Sequence, residues 1–252
     1  MRCTGEETMS NRTFILPQHT LNVEKIRDHT KDIYDWTLKK DGYYVQVVNT
    51  EAYSKTGNLM PGLPPMGFRP DIVYEMEAYA ETLAATKSAL GRKQPQWDKV
   101  DFWVNNFIDN GVAYHEKNQI LLKEKQLSII VAPVVYTGTI AEAEAYAEAV
   151  VYPAGGEGLV GRLRGNLTHQ SGSRNKTLVK VKANCFFEAM YLKTTPGTAQ
   201  AHLVTKLGQV AFTAKVQTEH MAQSLKPGQT VTIRCMLINP SGAPRDPVIW
   251  KY

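Results

Sequence analysis

Two lysines, Lys39 and Lys40, stand directly before an Asp-Gly turn signal at Asp41-Gly42, and a run of β-forming residues follows from Tyr43 to Val48. A lysine beside a tight turn can be held at the mouth of a cleft. When other cations lie nearby, its pKa falls and its amine can act as a nucleophile. The string alone is also typical of an ordinary surface hairpin, so it indicates covalent lysine chemistry only if other strings support it.

Four further strings follow in the chain: Ser54-Lys55-Thr56-Gly57, Glu75-Met76-Glu77, Glu157-Gly158-Leu159-Val160 and Lys180-Val181-Lys182. Positions i and i+2 of a strand share a face, so both lysines of the last string can enter one cleft. Two glycines precede Glu157, and they permit a tight turn and the close approach of a ligand. Each string by itself also describes an exposed strand face or a surface loop.

The cysteines and histidines exclude several classes of protein. The three cysteines, Cys3, Cys185 and Cys235, are few and odd in number, which argues against a disulfide framework and favours a reducing, cytoplasmic location. The six histidines show no zinc-ligand spacing, so a zinc hydrolase is not expected. The glycine-rich loops GxGxxG and GxxxxGK[ST], which bind nucleotides in other proteins, and the hydrolase motif GxSxG are also absent from the sequence.

Charge is distributed unevenly along the 252 residues, whose net charge is +5. Residues 1–157 hold 16 Lys and Arg against 21 Asp and Glu, a balance of −5, whereas residues 158–252 hold 13 against 3, a balance of +10. Such a basic portion indicates a polyanionic partner, most often nucleic acid or nucleotide phosphate, although a generic basic surface also fits. With no run of 18 apolar residues and no apolar leader, the sequence predicts neither a membrane span nor a signal peptide.

Hydrophobic patterning predicts a mixed first part and an all-β second part. From Ala183 onward, short β-rich runs alternate with turns, as in a small barrel of about five strands, and the boundary falls near residues 182–186. Thr139 is the predicted N-cap of a strong helix. The elements predicted before the boundary are strands at Tyr43–Val48, Asp71–Tyr79, Val100–Ile108, Gln126–Val135, Leu159–Leu163 and Thr177–Val181, and helices at Ala80–Leu90 and Thr139–Val150.

Taken in order, the five strings resemble the motifs of the covalent nucleotidyltransferase superfamily, and specifically of the minimal two-domain ATP-dependent DNA ligases. The tail string Gly242-Ala243-Pro244-Arg245-Asp246-Pro247 resembles the ending of small bacterial and phage DNA ligases. The resemblance implies an α+β fold. A nucleotidyltransferase domain over residues 1–183, with antiparallel sheets flanked by helices, would precede an OB-fold domain over residues 184–252.

The same resemblance implies a role for each matching residue. Lys39 would attack the α-phosphate of ATP, and Lys180 and Lys182 would neutralise phosphate charge during catalysis. Glu77 would hold the ribose hydroxyls, and Glu157, with Glu77, would bind Mg²⁺. Asp41, Gly42 and Lys55 complete the implied ATP site, and the residues expected to contact nucleic-acid phosphates are Lys55, Arg162, Arg174 and Arg245.

Three positions depart from the family pattern. Lys55 stands where arginine is usual, which removes bidentate phosphate geometry. Asn105 occupies the position of the adenine-stacking aromatic, so Phe107, or Phe102, is predicted to stack on the base instead, although each also fits an ordinary place in the core. Gly161 occupies a position that is usually apolar.

The resemblance implies a monomeric DNA ligase of DNA replication or repair. It would use ATP and Mg²⁺ to seal 5′-phosphate/3′-hydroxyl nicks in duplex DNA through a lysyl-AMP intermediate and a DNA-adenylate. An RNA ligase or an mRNA guanylyltransferase uses a similar lysine, although the tail string favours a DNA ligase. A catalytically inactive, nucleic-acid-binding relative is the alternative of a different class.

Overall fold

The computed structural model describes residues 14–26, 31–123, 129–205, 208–238 and 241–252, and the chain divides into two compact units, Met1–Val181 and Lys182–Tyr252. The helices described in the first unit are α1 (Leu83–Leu90), α2 (Tyr114–Lys123) and α3 (Ile140–Tyr146). Its described strands are β1 (His19–Asn22), β2 (Tyr34–Leu38), β3 (Tyr43–Val48), β4 (Glu51–Ser54), β5 (Leu59–Met60), β6 (Val73–Tyr79), β7 (Asp101–Ile108), β8 (Ile130–Val131), β9 (Val134–Gly138), β10 (Gly158–Leu163) and β11 (Arg174–Lys182).

Two sheets build the first unit. One has the strand order β1-β11-β10-β2-β9 and the other the order β5-β4-β3-β6-β7-β8. The prediction of antiparallel sheets needs correction, because β1 pairs with β11 and β7 pairs with β8 in parallel. Helix α2 lies between β7 and β8 in the chain and provides the crossover that a parallel pair requires. The sequence analysis did not predict this helix.

Two predicted helices are present with different bounds. Thr139 caps α3 as predicted, because its side chain accepts a hydrogen bond from the Glu142 backbone and Glu142 reaches back to Thr139 in a capping box. The α-helix ends at Tyr146, and a π-helical turn continues over Ala147–Val151. Helix α1 begins at Leu83 because Thr82 is its N-cap and accepts a hydrogen bond from the backbone of Ala85.

The strand predicted over Gln126–Val135 begins outside the described residues, since 124–128 are not among them. Its remainder is two strands, β8 and β9, which belong to different sheets. Pro133 separates them, and proline has no N–H to donate to a continuing ladder. The chain therefore passes from one sheet to the other at this point.

Gly161 has a structural explanation. It lies opposite Trp36 in the antiparallel pair of β10 and β2, and a Cβ atom built on it would meet Trp36 Cζ3 at 2.5 Å. Trp36 is fully buried and its indole N–H donates to the Gly138 carbonyl at 3.0 Å. The Trp36 ring therefore occupies the space that a side chain at position 161 would need.

We expect Gly161→Ala to destabilise the first unit by about 1–3 kcal/mol, because the buried ring has no room to move. Gly165→Ala is the matched control, since a Cβ at Gly165 would have nothing within 4 Å. Urea unfolding monitored by tryptophan fluorescence measures both variants. Equal unfolding midpoints for the two variants would contradict this account of the packing.

The second unit is a closed barrel of five strands. Leu203, Ile233 and Ile249 are fully buried at its centre. No helix among the described residues of the chain is long and apolar enough to cross a membrane. The described elements of the second unit are β12 (Cys185–Thr194), β13 (Gln200–Thr205), β14 (Ala211–Lys215), α4 (Glu219–Ser224), β15 (Thr230–Cys235), β16 (Leu237–Ile238), β17 (Pro244–Arg245) and β18 (Val248–Lys251). The barrel strands follow the order β12-β13-β14-β18-β15.

Candidate active site

A cavity of about 310 Å³ lies between the two sheets of the first unit. Val160 and Leu178 contribute to its wall from one sheet, and Tyr44 and Trp103 contribute from the other. Six residues singled out in the sequence also line it: Lys39, Gly42, Lys55, Glu77, Arg162 and the neighbouring Lys40. The fold therefore brings the first, second, third and fourth strings of the sequence to one place.

Lys39 is held by an ion pair with Glu157. The Lys39 Nζ atom lies 2.7 Å from Glu157 Oε2, and the two side chains are 21% and 7% exposed. The backbone aligns them, since Lys39 N–H donates to the Gly158 carbonyl at 2.9 Å, next to the paired residues Leu38 and Leu159. A carboxylate thus orients the lysine amine at the cavity and lies close enough to accept its proton.

Gly42 and Glu77 are in direct contact. The Gly42 N–H donates to the Glu77 carboxylate, and a Cβ on Gly42 would lie 2.6 Å from both the Ala78 carbonyl oxygen and Glu77 Cγ. The glycine of the first string is therefore required by the close approach of β6.

Burial raises the pKa of Glu77 to about 7, and the nearby Glu157 carboxylate acts in the same direction, whereas Lys39 and Lys55 oppose it. Two neighbouring carboxylate groups that repel each other suit a divalent cation. The described residues contain no group of three or more His, Cys, Asp and Glu side chains that could hold a metal. The neighbouring carboxylates of Glu77 and Glu157 are oxygen donors of the kind that Mg²⁺ binds, since it takes one or two carboxylates and completes its shell with substrate phosphates and water.

We expect the Glu77 carboxyl to titrate with a midpoint near pH 7 in ¹³C NMR of labelled glutamate. Because its pKa in the folded protein lies above the ordinary value of 4.5, ionisation of Glu77 reduces stability as the pH rises from about 4.5 to 7. Lys39→Ala should move the midpoint upward, since the Lys39 cation lowers this pKa. Lys40→Ala is the control, and an equal shift in both variants would contradict the assignment.

Phe107, which was predicted to stack on adenine, is not among the residues that line the cavity. In the β6–β7 pair, Met76 faces Val104 and Glu75 faces Asn106, so Asn105 is an extra residue in a β-bulge. The bulge reverses the alternation of side chains after it, and Phe107, 4% exposed, packs in the core. Phe102 packs in the same core. Trp103 and Asn105 line the cavity in their place.

The Lys40 side chain packs between two aromatic rings at the cavity wall. Its Nζ atom lies 4.5 Å from the centroid of Trp103 and 4.7 Å from that of Tyr79. Both distances are typical of cation–π contacts. Of the two adjacent lysines, Lys39 is therefore the one whose amine pairs with a carboxylate at the cavity.

A polar network forms part of the cavity wall. Glu75 accepts hydrogen bonds from Tyr44 Oη and Asn106 Nδ2, each at 2.9 Å. Arg162 lines the cavity and stacks over Tyr114, with its Cζ atom 5.2 Å from the ring centroid. Its buried Nη1 atom has no hydrogen-bond partner in the part of the chain that the structure describes. Arg162 therefore places a guanidinium in the cavity wall, and its predicted contact with nucleic acid stays a prediction.

The other predicted phosphate contacts are spread more widely. Val179 and Val181 are buried, so Lys180 shares the opposite face of β11 with the cavity-lining Leu178. Lys182 begins the second unit, where its Nζ atom lies 3.2 Å from Met236 Sδ. Arg174 is exposed at the start of β11. Arg245 lies on β17 of the second unit, and Asp41 lies between β2 and β3, beside the cavity-lining Gly42.

His19, Tyr44 and Trp103 also line the cavity and were not predicted from the sequence as site residues. Tyr44 could have been found by alternation from Gly42 along β3, because positions 42 and 44 share a face. His19 carried no such signal, since its strand pairs with β11 more than 150 residues later.

No protein-family model and no curated protein matches the chain. Solved structures do match. A minimal Lig E DNA ligase gives a TM-score of 0.76 at 20% identity, over 93% of this chain and 98% of that chain. The ligase domain of M. tuberculosis LigD gives 0.54 at 16% identity over 94% of both chains. The ATP-dependent DNA ligase from bacteriophage T7, in complex with ATP, gives 0.52 at 12% identity over 94% and 98%. The chain therefore has the fold of ATP-dependent DNA ligases.

Proposed function

We propose that the protein is an ATP-dependent DNA ligase that seals nicks in duplex DNA. The observation that carries the proposal is the Lys39–Glu157 ion pair at a cavity that also contains Glu77 and Lys55, in a fold shared with such ligases. The first unit would be the nucleotidyltransferase domain and the barrel an OB-fold domain.

In the first step, Lys39 Nζ gives up a proton, for which Glu157 Oε2 is a suitable acceptor at 2.7 Å, and attacks the α-phosphorus of ATP. A phosphorus–nitrogen bond forms while the bond to pyrophosphate breaks. Glu77 would hold the ribose hydroxyls, and Lys55 and Arg162 would neutralise phosphate charge. Mg²⁺, bound by Glu157 and Glu77 with the substrate phosphates, would supply further charge neutralisation.

In the second step, an oxygen of the 5′-phosphate at a nick attacks the same phosphorus and releases the lysine amine. In the third step, the 3′-hydroxyl attacks the 5′-phosphate, forms the new phosphodiester bond and releases AMP. Each step is an in-line phosphoryl or nucleotidyl transfer, so positioning and charge neutralisation are what the side chains must provide.

The barrel has the surface chemistry expected of a DNA-binding unit. Residues 182–252 hold eight Lys and Arg against three Asp and Glu. Phe186 and Trp250 are 53% and 38% exposed, and Arg234 stacks over Trp250 with its Cζ atom 4.5 Å from the ring centroid. Cationic and aromatic groups on one surface suit a nucleic-acid partner.

We expect nick binding to weaken at least about tenfold between 50 and 200 mM salt, because phosphate contacts release counterions from DNA. AMP transfer to Lys39 in the absence of DNA should change far less over the same range. Fluorescence anisotropy with a labelled nicked duplex measures the first quantity, and intact-protein mass the second. A flat binding response would contradict electrostatic DNA binding.

The decisive experiment incubates the purified chain with ATP and Mg²⁺ and then with a nicked duplex. The expected results are a mass gain of one AMP on a peptide containing Lys39 and a sealed strand. GTP, a nick in RNA, and a nick without the 5′-phosphate are the matched controls. An adduct formed only from GTP would identify a guanylyltransferase, sealing only of RNA would identify an RNA ligase, and no adduct would indicate an inactive relative.

A further inference from the structure

His19 and Lys55 both line the cavity, and the sequence assigned no role to His19. It is paired with Arg174 in the parallel ladder of β1 and β11, and its backbone N–H donates to the Ser173 carbonyl at 2.8 Å. Its ring nitrogens make no hydrogen bond to any residue within the described ranges. The backbone is therefore fixed while the imidazole is available to a ligand.

The surroundings of this imidazole are cationic. Partial burial, Lys55 and Arg174 all lower the pKa of His19, so the ring is mostly neutral at pH 7 without a ligand. A phosphate bound among the three groups would offset both cations and favour the protonated ring. The other charged residues that line the cavity are Lys39, Lys40, Glu75, Glu77 and Arg162.

We infer that His19, with Lys55 and Arg174, binds a terminal phosphate group and takes up a proton as the phosphate binds. The inference rests on the proposed function and deepens it, because it identifies the chemical group that binds at this part of the cavity wall. Two sources share that chemistry: the phosphate tail of ATP and the 5′-phosphate of a nick.

The test follows the His19 ring by NMR in the full chain from pH 5 to 8.5, with His19→Gln used for assignment. The protein is measured alone, with pyrophosphate, and with nicked duplexes that carry or lack the 5′-phosphate. The ring midpoint should rise when the relevant phosphate is present. From pH 8 to pH 6, the affinity for the relevant phosphate ligand should also increase about tenfold more in the wild type than in His19→Gln. The titration of the phosphate itself is common to both proteins, and the exposed His220→Gln variant is the matched control.

A midpoint shift with pyrophosphate assigns the wall to the ATP tail, and a shift only with the phosphorylated nick assigns it to the 5′-phosphate. The inference is overturned if no phosphate ligand moves the titration midpoint of the His19 ring. It is also overturned if the ratio of wild-type to His19→Gln affinity is constant with pH. The readout does not require catalysis. A protein that binds phosphate at His19 but forms no AMP adduct would disprove the proposed function and leave this inference standing.

A separate observation concerns Cys185 and Cys235. The two residues lie directly opposite each other in the antiparallel pair of β12 and β15, and both are free thiols. The Cys185 thiol donates a hydrogen bond to the Met236 carbonyl at 3.7 Å, and burial together with the neighbouring Cys185 raises the pKa of the Cys235 thiol. Directly opposed residues in such a pair have Cα atoms about 4.5–5.5 Å apart, which is within the range that a disulfide spans.

The geometry points to a thiol pair that oxidants of the disulfide class, such as oxidised glutathione, convert to an intramolecular disulfide. Cys185 is half-buried and would attack first, because burial raises the pKa of the Cys235 thiol to about 11. Cys185 would displace one glutathione from the oxidant and form a mixed disulfide. Cys235 would then attack the Cys185 sulfur and release the second glutathione, so that two thiols are oxidised and one oxidant is reduced.

The test treats the folded chain with oxidised glutathione and maps its disulfides by peptide mass spectrometry. Cys3→Ser serves as the background, because Cys3 lies outside the described residues. The expected result is a 185–235 cross-linked peptide, the loss of two thiols and full reversal by dithiothreitol. Cys235→Ala in the same background should stop at the mixed disulfide on Cys185. A stable mixed disulfide or an intermolecular dimer in the Cys235-containing protein would overturn the assignment.

Discussion

Replacing Lys39 with arginine is expected to lower covalent AMP incorporation by at least about 10³-fold. The arginine keeps a positive charge beside Glu157, but its guanidinium stays protonated and has no lone pair to attack phosphorus. Lys39→Ala should give the same loss by removing the nucleophile altogether. Intact-protein mass after incubation with ATP and Mg²⁺ measures both variants.

Lys40→Ala is the matched control for Lys39. It removes the adjacent lysine, which packs between Trp103 and Tyr79 at the cavity wall, and AMP incorporation should remain within about tenfold of the wild type. A nick that already carries AMP on its 5′-phosphate bypasses the lysine, so Lys39→Ala should still join it if the protein is folded. An adduct on the Lys39→Arg protein, or one mapped to Lys40, would disprove the assignment of the nucleophile.

The positions of Lys39 and Gly42 could be predicted because local rules determine them, whereas the place of Glu77 beside them was implied only by the family resemblance. A strand–turn–strand places Lys39 at the end of β2 and Gly42 before β3, and β3 then pairs with β6, which carries Glu77. Short ordered strings are sufficient for such a prediction, since turn residues and strand alternation fix where each side chain points.

The position of Phe107 could not be predicted, because one extra residue at Asn105 reverses the face of every later side chain in β7. No property of Asn105 itself predicts a β-bulge at this position. The pairing of His19 with Arg174 could not be predicted either, because the parallel pairing of β1 with β11 is a tertiary contact between distant segments. Local periodicity identifies strands but not their partners.

Replacing Glu157 with glutamine is expected to lower AMP incorporation about 10²- to 10³-fold, equivalent to roughly 3–4 kcal/mol of transition-state stabilisation. Glutamine keeps an oxygen that can accept a hydrogen bond from Lys39 but loses the charge that orients the ammonium, accepts its proton and attracts Mg²⁺. Glu157→Ala should be at least as severe. The exposed Glu81→Gln variant should match the wild type.

A second readout separates the charge of Glu157 from a general loss of structure. Glu157 raises the pKa of Glu77, whereas Lys39 lowers it, so Glu157→Gln should move the Glu77 midpoint downward and Lys39→Ala should move it upward. Misfolding would expose Glu77 and return it toward its ordinary value in both variants alike. Opposite shifts would therefore establish that Lys39, Glu157 and Glu77 form one electrostatic unit, and an unchanged midpoint in Glu157→Gln would disprove it.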